Sequence, residues 1–178
     1  MENKNVQTLA KDKNEFVSSI ITNKKGNILV LKRRDDLRLD PGKYDFCSGH
    51  MKEGEAPMQA MFRELIEEIG LRFDQISYMD KIGVIDTPHE KLEDTVTHLY
   101  HIEINISEEE LNKMIKNVEE PEMEEAIFLE NIEALRKMQT ETKDLRTAYT
   151  RQMQIVLEVM EKRINKRIEK GEKGCEEK

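Results

Sequence analysis

Apolar positions recur at steps of three and four through residues 57–69, and this spacing predicts an amphipathic α-helix. Pro57 suits the first turn of such a helix, because the N–H that proline lacks would find no partner there. Gly70 suits the position after the last turn, where a left-handed residue closes a helix. We therefore expect one helix with a continuous apolar stripe, formed by Met58, Met61, Phe62, Leu65, Ile66 and Ile69.

Stretches rich in aliphatic and β-branched residues precede this helix and predict strands. Residues 16–22 and 27–32 are two such stretches, and the polar turn between them ends in Gly26, which can supply a positive φ. We expect these stretches to form a β-hairpin. A charged loop at 33–43 then leads into a short strand at 44–48.

After the helix the apolar pattern predicts two longer strands, at 76–85 and 95–106. The loop expected between them, 86–94, contains Pro88 and His89.

A second helix and a second acidic stretch follow these strands. Ser107 is a suitable N-cap, and the acidic residues after it favour the first turn of a helix that runs to about Lys116. An acidic loop at 119–125 and a strand at 126–129 come next.

The remaining periodic segments are helical. A short helix is expected at 132–138, and a long one begins near Leu145. The apolar positions of the long helix are Tyr149, Met153, Val156, Leu157 and Met160. Strands with one embedded helix, more strands and then helices predict a mixed α/β layer architecture.

Length and composition favour one soluble domain. At 178 residues the chain can bury a substantial core as a single unit. We expect a polar arm at 1–14, the domain at 15–160 and a charged helix end and tail at 161–178. The long C-terminal helix could pack on the domain or pair with a second subunit, so a homodimer stays open.

Charge and cysteine content narrow the possible partners. A net charge of −8 opposes sequence-independent binding of a nucleic-acid polymer, which needs a basic surface. No apolar run approaches the length of a membrane helix, and the N-terminus lacks the apolar core of a signal peptide. Cys47 and Cys175 lie far apart, so we expect no structural disulfide and a cytoplasmic protein.

The polar side of the first helix carries the candidate chemistry. Glu64 lies one turn from both Glu67 and Glu68, and Arg63 lies one turn from Glu67. Carboxylates this close repel one another, and a hard cation such as Mg²⁺ would remove the repulsion. The alternative is a solvated acidic helix face, the usual outcome for a charge run.

The flanking residues favour the metal. Residues 49–71 resemble the Nudix box, whose pattern is Gly, five residues, Glu, seven residues, Arg-Glu, an aliphatic, any residue, Glu-Glu, any residue, Gly and an aliphatic. Every fixed position matches: Gly49, Glu55, Arg63, Glu64, Leu65, Glu67, Glu68, Gly70 and Leu71. The resemblance implies an α/β/α sandwich, in which a mixed β-sheet lies between helices and the box forms a loop–helix–loop.

Nudix hydrolases typically cleave the diphosphate of a nucleoside diphosphate linked to another moiety, by attack of water on phosphorus. The resemblance implies that Glu67 and Glu68 are the main Mg²⁺ or Mn²⁺ ligands, with Glu64 completing or bridging the site. It further implies that the Gly49 carbonyl is a ligand. Glu55 would stabilise the loop–helix motif or reach a metal through water, and Arg63 would orient the carboxylates as a bidentate partner.

The general base and the substrate contacts are less specified. In some Nudix members a box glutamate is the base, and in others a glutamate from a later loop, for which Glu122 and Glu124 are the candidates here. Lys32, Arg33 and Arg34 follow the second strand, where several members place basic residues against substrate phosphates. The alternative for the two glutamates is that they are exposed loop carboxylates, and the alternative for the three basic residues is a solvated strand end.

The residues just before the box keep other functions open. Many members have Pro-Gly-Gly where this chain has Cys47-Ser48-Gly49, and Gly49-His50 after a cysteine is similar to the isopentenyl diphosphate isomerase-like branch. The intact box and the offset of Cys47 by one position favour hydrolysis, with Cys47 as a small buried hydrophobe. A Nudix module that senses a nucleotide without cleaving it is the other alternative. The substrate itself is not determined by the sequence.

Overall fold

The protein, seen here in a computed structural model, is described over residues 14–87, 95–142 and 144–145. The strands in these residues are β1 (Asn14–Asn23), β2 (Ile28–Arg33), β3 (Tyr44–Asp45), β4 (Ser48–His50), β5 (Ile76–Thr87), β6 (Thr95–Ile104) and β7 (Met123–Leu129). The helices are α1 (Pro57–Ile69), α2 (Glu108–Lys116) and α3 (Ile132–Lys137), with a 3₁₀ turn at Phe73–Gln75 and a π-helical turn at Met138–Thr142.

The hairpin of β1 and β2 forms as expected and then opens. Gly26 has a φ of 82°, and the Asn23 side chain accepts hydrogen bonds from the amides of Lys25 and Asn27. Pairing between the two strands is confined to Thr22 and Ile28, next to the turn. Beyond the turn β1 pairs with β4 and, in parallel, with β6, whereas β2 pairs with β3 and β7.

The result is one mixed sheet with the order β3-β2-β1-β6-β5, to which β4 and β7 are added. Strand β2 is buried on both faces: Leu29 and Leu31 pack with α1 and α2, whereas Ile28 and Val30 pack with α3. The sheet therefore lies between helices, and the expected α/β/α sandwich is confirmed. No helix in the described ranges is long and apolar enough to cross a membrane.

Helix α1 has the expected ends but a narrower buried face. Pro57 is its first residue, and Gly70, with a φ of 68°, ends it. The line Met61-Leu65-Ile69 faces the core, while Met58 and Ile66 are 54% and 57% exposed. The prediction that the whole apolar stripe is buried was wrong. Positions three apart differ by about 60° around a helix, so only one row of side chains can point directly at the sheet.

The acidic loop before β7 is shorter than expected, because the strand begins at Met123 rather than at 126. Lys32 pairs with Glu125 but Arg33 pairs with Met123, so a bulge accommodates Glu124 as an extra residue. The bulge allows Met123 and Ala126, three positions apart, both to be buried. Glu124 consequently belongs to the strand, and the loop ends at Glu122.

Smaller differences concern strand limits. The strand expected at 44–48 divides into β3 and β4, and β5 runs on to Thr87. Pro88, His89 and the rest of the loop to 94 lie outside the described residues, as do the arm before Asn14 and the chain after Leu145. The expected C-terminal helix and any role for it in a dimer therefore stay predictions.

Candidate active site

A short piece of sheet holds the start of the box. β4 pairs with β1, so that Gly49 lies opposite Val17, and the amide of Met51 donates to the carbonyl of Glu15 at 2.9 Å. The loop to α1 then closes on itself, because the Lys52 amide donates to Glu55 Oε2 at 2.9 Å. Gly49 and Glu55 are in this way fixed before the helix begins.

Arg63 joins this loop to the helix with all five N–H groups of its guanidinium. Nε and Nη2 donate to the two carboxylate oxygens of Glu55, both at 2.9 Å, and Nη2 also donates to the His50 carbonyl at 2.8 Å. Nη1 donates to Glu64 at 2.5 Å and to Glu67 at 2.9 Å. The contact with Glu67 was expected, but the bidentate partner is Glu55, which helical spacing could not reveal.

Contacts with Arg63 and burial shift the pKa values of two box carboxylates in opposite directions. Hydrogen bonds from Arg63, and then from the Lys52 amide, lower the pKa of Glu55 to about 2. Burial raises the pKa of Glu64, although Arg63 acts in the opposite direction. Arg63 is held firmly cationic, since its bonds to Glu55 raise its own pKa further.

Gly49 is placed against the carboxylate of Glu64. A Cβ at position 49 would overlap the carboxyl carbon and both oxygens of Glu64, which is 8% exposed. The absence of a side chain at Gly49 therefore lets Glu64 lie against the backbone of β4.

The side chain of Glu68 contacts the residues just before the box. Its Oε2 accepts a hydrogen bond from the Ser48 amide at 3.2 Å, and the thiol of Cys47 is hydrogen-bonded to the Glu68 carboxylate. Burial raises the pKa of Glu68 well above its usual range, with the nearby Asp45 and Glu64 adding repulsion. Sequence reasoning missed the contact between Cys47 and Glu68, which lie 21 positions apart on different elements.

Burial also raises the pKa of the Cys47 thiol well above its usual range, and the negative charge of Glu68 adds to the effect. Cys47 is a free cysteine and is 2% exposed. It is thus a small buried side chain, as expected, and not an accessible thiolate.

A cavity of about 890 Å³ opens beside these carboxylates. It lies between α1, the end of α2 and the segment that leads to β7. Six glutamates line it, with three apolar side chains and two further residues: Glu64, Glu67, Glu68, Glu119, Glu120, Glu122, Ile66, Met114, Val118, Gly70 and Asn117. The fold therefore brings Glu122 to the same cavity as the box carboxylates.

Glu124 and the basic residues at the end of β2 lie elsewhere. Lys32 and Glu124 form a salt bridge with each other at 2.5 Å. Arg33 is 7% exposed and donates to the Leu39 carbonyl and to Glu122. Lys32, Arg33 and Glu124 do not line the cavity, and substrate contact by Lys32 and Arg33 stays a prediction.

Arg34 also turns toward the protein rather than into the cavity. Its guanidinium donates to Asp36, at 2.9 and 2.5 Å, and to the Pro121 carbonyl at 3.1 Å. Its backbone amide donates to the Glu122 carbonyl at 3.0 Å. Its predicted contact with substrate phosphates likewise stays a prediction.

The donor set fits a hard divalent cation in its chemistry. Carboxylates and a backbone carbonyl are the oxygen ligands that Mg²⁺ and Mn²⁺ prefer, and a cation near Glu68 would stabilise its ionised form against the burial and repulsion that raise its pKa. Within the described part of the chain, no three His, Cys, Asp or Glu side chains converge closely enough to hold an ion as they stand. Arg63 binds Glu64 and Glu67 and so competes with a metal for them.

Comparison with known proteins decides the family. Residues 14–151 match the NUDIX domain, which covers most of the chain. The chain belongs to the Nudix family. The family predicted from residues 49–71 is therefore confirmed by a match that extends over the whole domain.

Two curated relatives of this Nudix chain are named as pyrophosphate-cleaving enzymes. An RNA pyrophosphohydrolase of Actinobacillus succinogenes is 45% identical over 56 residues, which are 32% of this chain and 26% of that protein. An 8-oxo-dGTP diphosphatase of Proteus vulgaris is 31% identical over 73 residues, 41% of this chain and 64% of that protein. The first match thus spans only about a quarter of the relative's length.

The fold is also similar to that of a solved Nudix structure. A MutT protein from Methanosarcina mazei Go1 superimposes with a TM-score of 0.58 at 21% identity, covering 88% of this chain and 98% of that one. At this identity the likeness concerns the fold, and it agrees with the mixed sheet between helices described above.

Proposed function

We propose that this Nudix protein is a divalent-metal-dependent hydrolase that cleaves a diphosphate linkage in a nucleotide, a nucleotide sugar or a related small phosphorylated compound. The observation that carries the proposal is the cavity shared by Glu64, Glu67, Glu68 and Glu122. Clustered carboxylates of this kind repel one another and an anionic substrate alike, so they favour a bound cation. The box motif and the names of the two curated relatives support the same activity.

The reaction is a displacement at phosphorus. An oxygen of water forms the new bond to one phosphorus of the diphosphate, and the bond from that phosphorus to the bridging oxygen breaks. The leaving phosphate takes the electron pair of the broken bond, while the proton of the water passes to a carboxylate. A Mg²⁺ or Mn²⁺ ion, when bound, supplies Lewis-acid polarisation and offsets the charge of the diphosphate.

Each residue has a distinct part in this proposal. Glu67 and Glu68, with Glu64 and the Gly49 carbonyl, would hold the metal. Arg63 would hold the box loop against the helix through Glu55. We assign the general base to Glu122 rather than Glu124, because Glu122 lines the cavity and Glu124 does not.

The lining of the cavity also bears on the substrate. Its described side chains include no Lys or Arg, so we expect bound metal ions to provide much of the positive charge that a diphosphate needs. Ile66, Met114 and Val118 provide an apolar portion that suits the other moiety of the substrate, such as a nucleobase. The net charge of −8 favours a small substrate over a nucleic-acid polymer, although the first relative is named for RNA.

The test is a substrate panel with Mg²⁺ or Mn²⁺, with products identified by mass. It contains nucleoside triphosphates, ADP-ribose, NADH, dinucleoside polyphosphates, coenzyme A, isopentenyl diphosphate and an RNA with a 5′-triphosphate. We expect diphosphate cleavage of at least one small compound, abolished by EDTA and by Glu68→Gln. Glu109→Gln is the matched control, because Glu109 is an exposed glutamate of α2. No turnover on any compound, or turnover unchanged by Glu68→Gln, would refute the proposal.

The same panel separates the two alternatives. Conversion of isopentenyl to dimethylallyl diphosphate, lost in Cys47→Ala, would indicate the isomerase, which the burial of Cys47 does not favour. Nucleotide binding without turnover would indicate a sensor. A cytoplasmic location belongs to this proposal too, because Cys47 is a free thiol.

A further inference from the structure

The segment that carries Glu122 is held at both of its ends. On its C-terminal side, the side-chain amide of Asn112 exchanges two hydrogen bonds with the backbone of Ala126, both at 2.8 Å. This pair sets the distance between α2 and β7. At Glu122 itself and at the residue before it, Arg34 holds the backbone: its side chain donates to the Pro121 carbonyl and its amide donates to the Glu122 carbonyl. The backbone at Glu122 is therefore positioned, and only its side chain remains to be oriented.

Arg33 orients that side chain from inside the protein. Its Nη1 donates to Glu122 Oε2 at 3.2 Å, and its Nε donates to the Leu39 carbonyl at 3.3 Å. The guanidinium is itself immobilised, because it is buried with Asp45, 3.9 Å away and 1% exposed. Glu122, by contrast, is 57% exposed at the cavity. A fixed buried cation thus holds one oxygen of an exposed carboxylate.

We propose that Arg33 is a positioning residue that, together with Arg34, holds the Glu122 carboxylate at the cavity for proton removal from the attacking water. The inference rests on the proposed function for its catalytic consequence, but the clamp itself is a property of the fold. It differs from the expectation that these arginines bind substrate phosphates. In that case their removal would weaken substrate binding, whereas loss of a clamp slows the chemical step.

Arg33→Lys is the variant that tests the clamp. Lysine keeps a positive charge for the buried Asp45, so the fold is retained, but it lacks the fork that reaches Leu39 and Glu122 together. Arg33→Ala is unsuitable here, because it would remove a positive charge beside the buried Asp45 and so could affect the fold itself. Arg72→Lys is the matched control, since Arg72 pairs with Asp74 on the surface and is 69% exposed.

On the substrate found by the panel, we expect Arg33→Lys to lower kcat about 10- to 100-fold with KM nearly unchanged, since small displacements of catalytic groups have effects of this size. The double variant Arg33→Lys/Glu122→Gln should be no slower than Glu122→Gln alone, because both changes remove one function. A higher KM with kcat unchanged, or losses that multiply in the double variant, would overturn the proposal.

A second measurement needs no activity. Hydrogen exchange of the backbone amides of residues 117–120, of Glu122 and of Arg34 should become severalfold faster in Arg33→Lys than in the unaltered protein or in Arg72→Lys. Exchange that is unchanged would refute the clamp even if the enzyme is active. Faster exchange without turnover on any substrate would support the clamp and reject the proposed hydrolase function, so the two failures are distinguishable.

Discussion

Two arginines hold carboxylates beside the same cavity, and they reach their partners in different ways. Arg63 binds Glu64, Glu67 and Glu55, which lie one, four and eight positions away. Arg33 binds Glu122, which lies 89 positions away. Arg63 is partly exposed and shares its charge among three carboxylates, whereas Arg33 is buried beside Asp45.

The two arginines hold different parts of the proposed site. The Arg63 network is local, and it shapes the carboxylates proposed to bind metal. The Arg33 network is long-range, and it connects the β2–β3 side of the sheet to the segment that carries the proposed base. We therefore expect a metal ion to compensate for loss of the first network but not of the second.

Arg33→Ala should have the largest effect on stability. It removes the positive charge that lies 3.9 Å from Asp45, which is 1% exposed, and breaking a buried pair in this way costs about 3–5 kcal/mol. The free energy of unfolding in urea is the measurement. Addition of Mg²⁺ should not restore the loss. A change below about 1 kcal/mol would show that the stability of the fold does not depend on the pairing of Asp45 with Arg33.

Arg63→Ala should be next, with a loss of about 2 kcal/mol, since its carboxylate partners are less completely buried than Asp45. Here Mg²⁺ should restore part of the lost stability, because a cation can offset the repulsion between Glu64 and Glu67. Melting temperatures with Mg²⁺ and with EDTA test this. Equal responses to Mg²⁺ in Arg63→Ala and Arg33→Ala would remove the proposed distinction.

Gly49→Ala should affect activity more than stability. The three atoms nearest to the added Cβ all belong to the Glu64 carboxylate, the far end of a flexible side chain, so we expect Glu64 to move rather than the backbone. Displacing Glu64 from Arg63 should lower the unfolding free energy by about 1 kcal/mol and turnover by about tenfold or more. Gly83→Ala is the control, because no atom lies within 4 Å of a Cβ built there. Equal turnover of the two variants would contradict the placement of Glu64.

The contribution of Glu55 should depend on pH. Its pKa is lowered to about 2 in the folded protein, from an ordinary value of 4.5, so the folded state favours the ionised form. The stabilisation is complete above the ordinary value and is lost as the pH falls through about 2. The difference in melting temperature between the native protein and Glu55→Gln should therefore shrink between pH 6 and pH 3. A difference that is constant with pH would mean that ionic pairing with Arg63 contributes little.

The smallest effect is expected for an ion pair outside both networks. Glu109 and Lys113 form an exposed pair at 2.7 Å, one turn apart on α2. Lys113→Gln should change the unfolding free energy by less than about 0.5 kcal/mol, as is usual for exposed pairs of this spacing. A change as large as that of Arg63→Ala would mean that burial does not explain the order of these effects.

The box was predictable because its contacts are local. Glu64, Glu67 and Glu68 share one helix, whose spacing makes them neighbours, and the ends of α1 at Pro57 and Gly70 follow from local conformational preference. The width of its buried face was not predictable. Met58 and Ile66 are as apolar as Met61 and Leu65, and only the position of the sheet leaves them exposed.

Glu122 and Glu124 show the limit of the sequence most clearly. Both belong to one acidic stretch and were equal candidates for the base. The bulge in β7 sends Glu124 to Lys32, while Glu122 remains at the cavity with Arg33. Strand register decides between them, and register is not encoded in residue type at either position.

By itself, the sequence determined the helix of the box, its cluster of carboxylates and the family, because these depend on residue types at fixed local spacing. The tertiary structure alone decided that Arg63 pairs bidentately with Glu55, that Cys47 lies against Glu68, and that Arg33 and Arg34 turn toward the segment before β7. These contacts join residues on different elements. They exist only because strand pairing and the packing of helices on the sheet bring distant parts of the chain to one cavity.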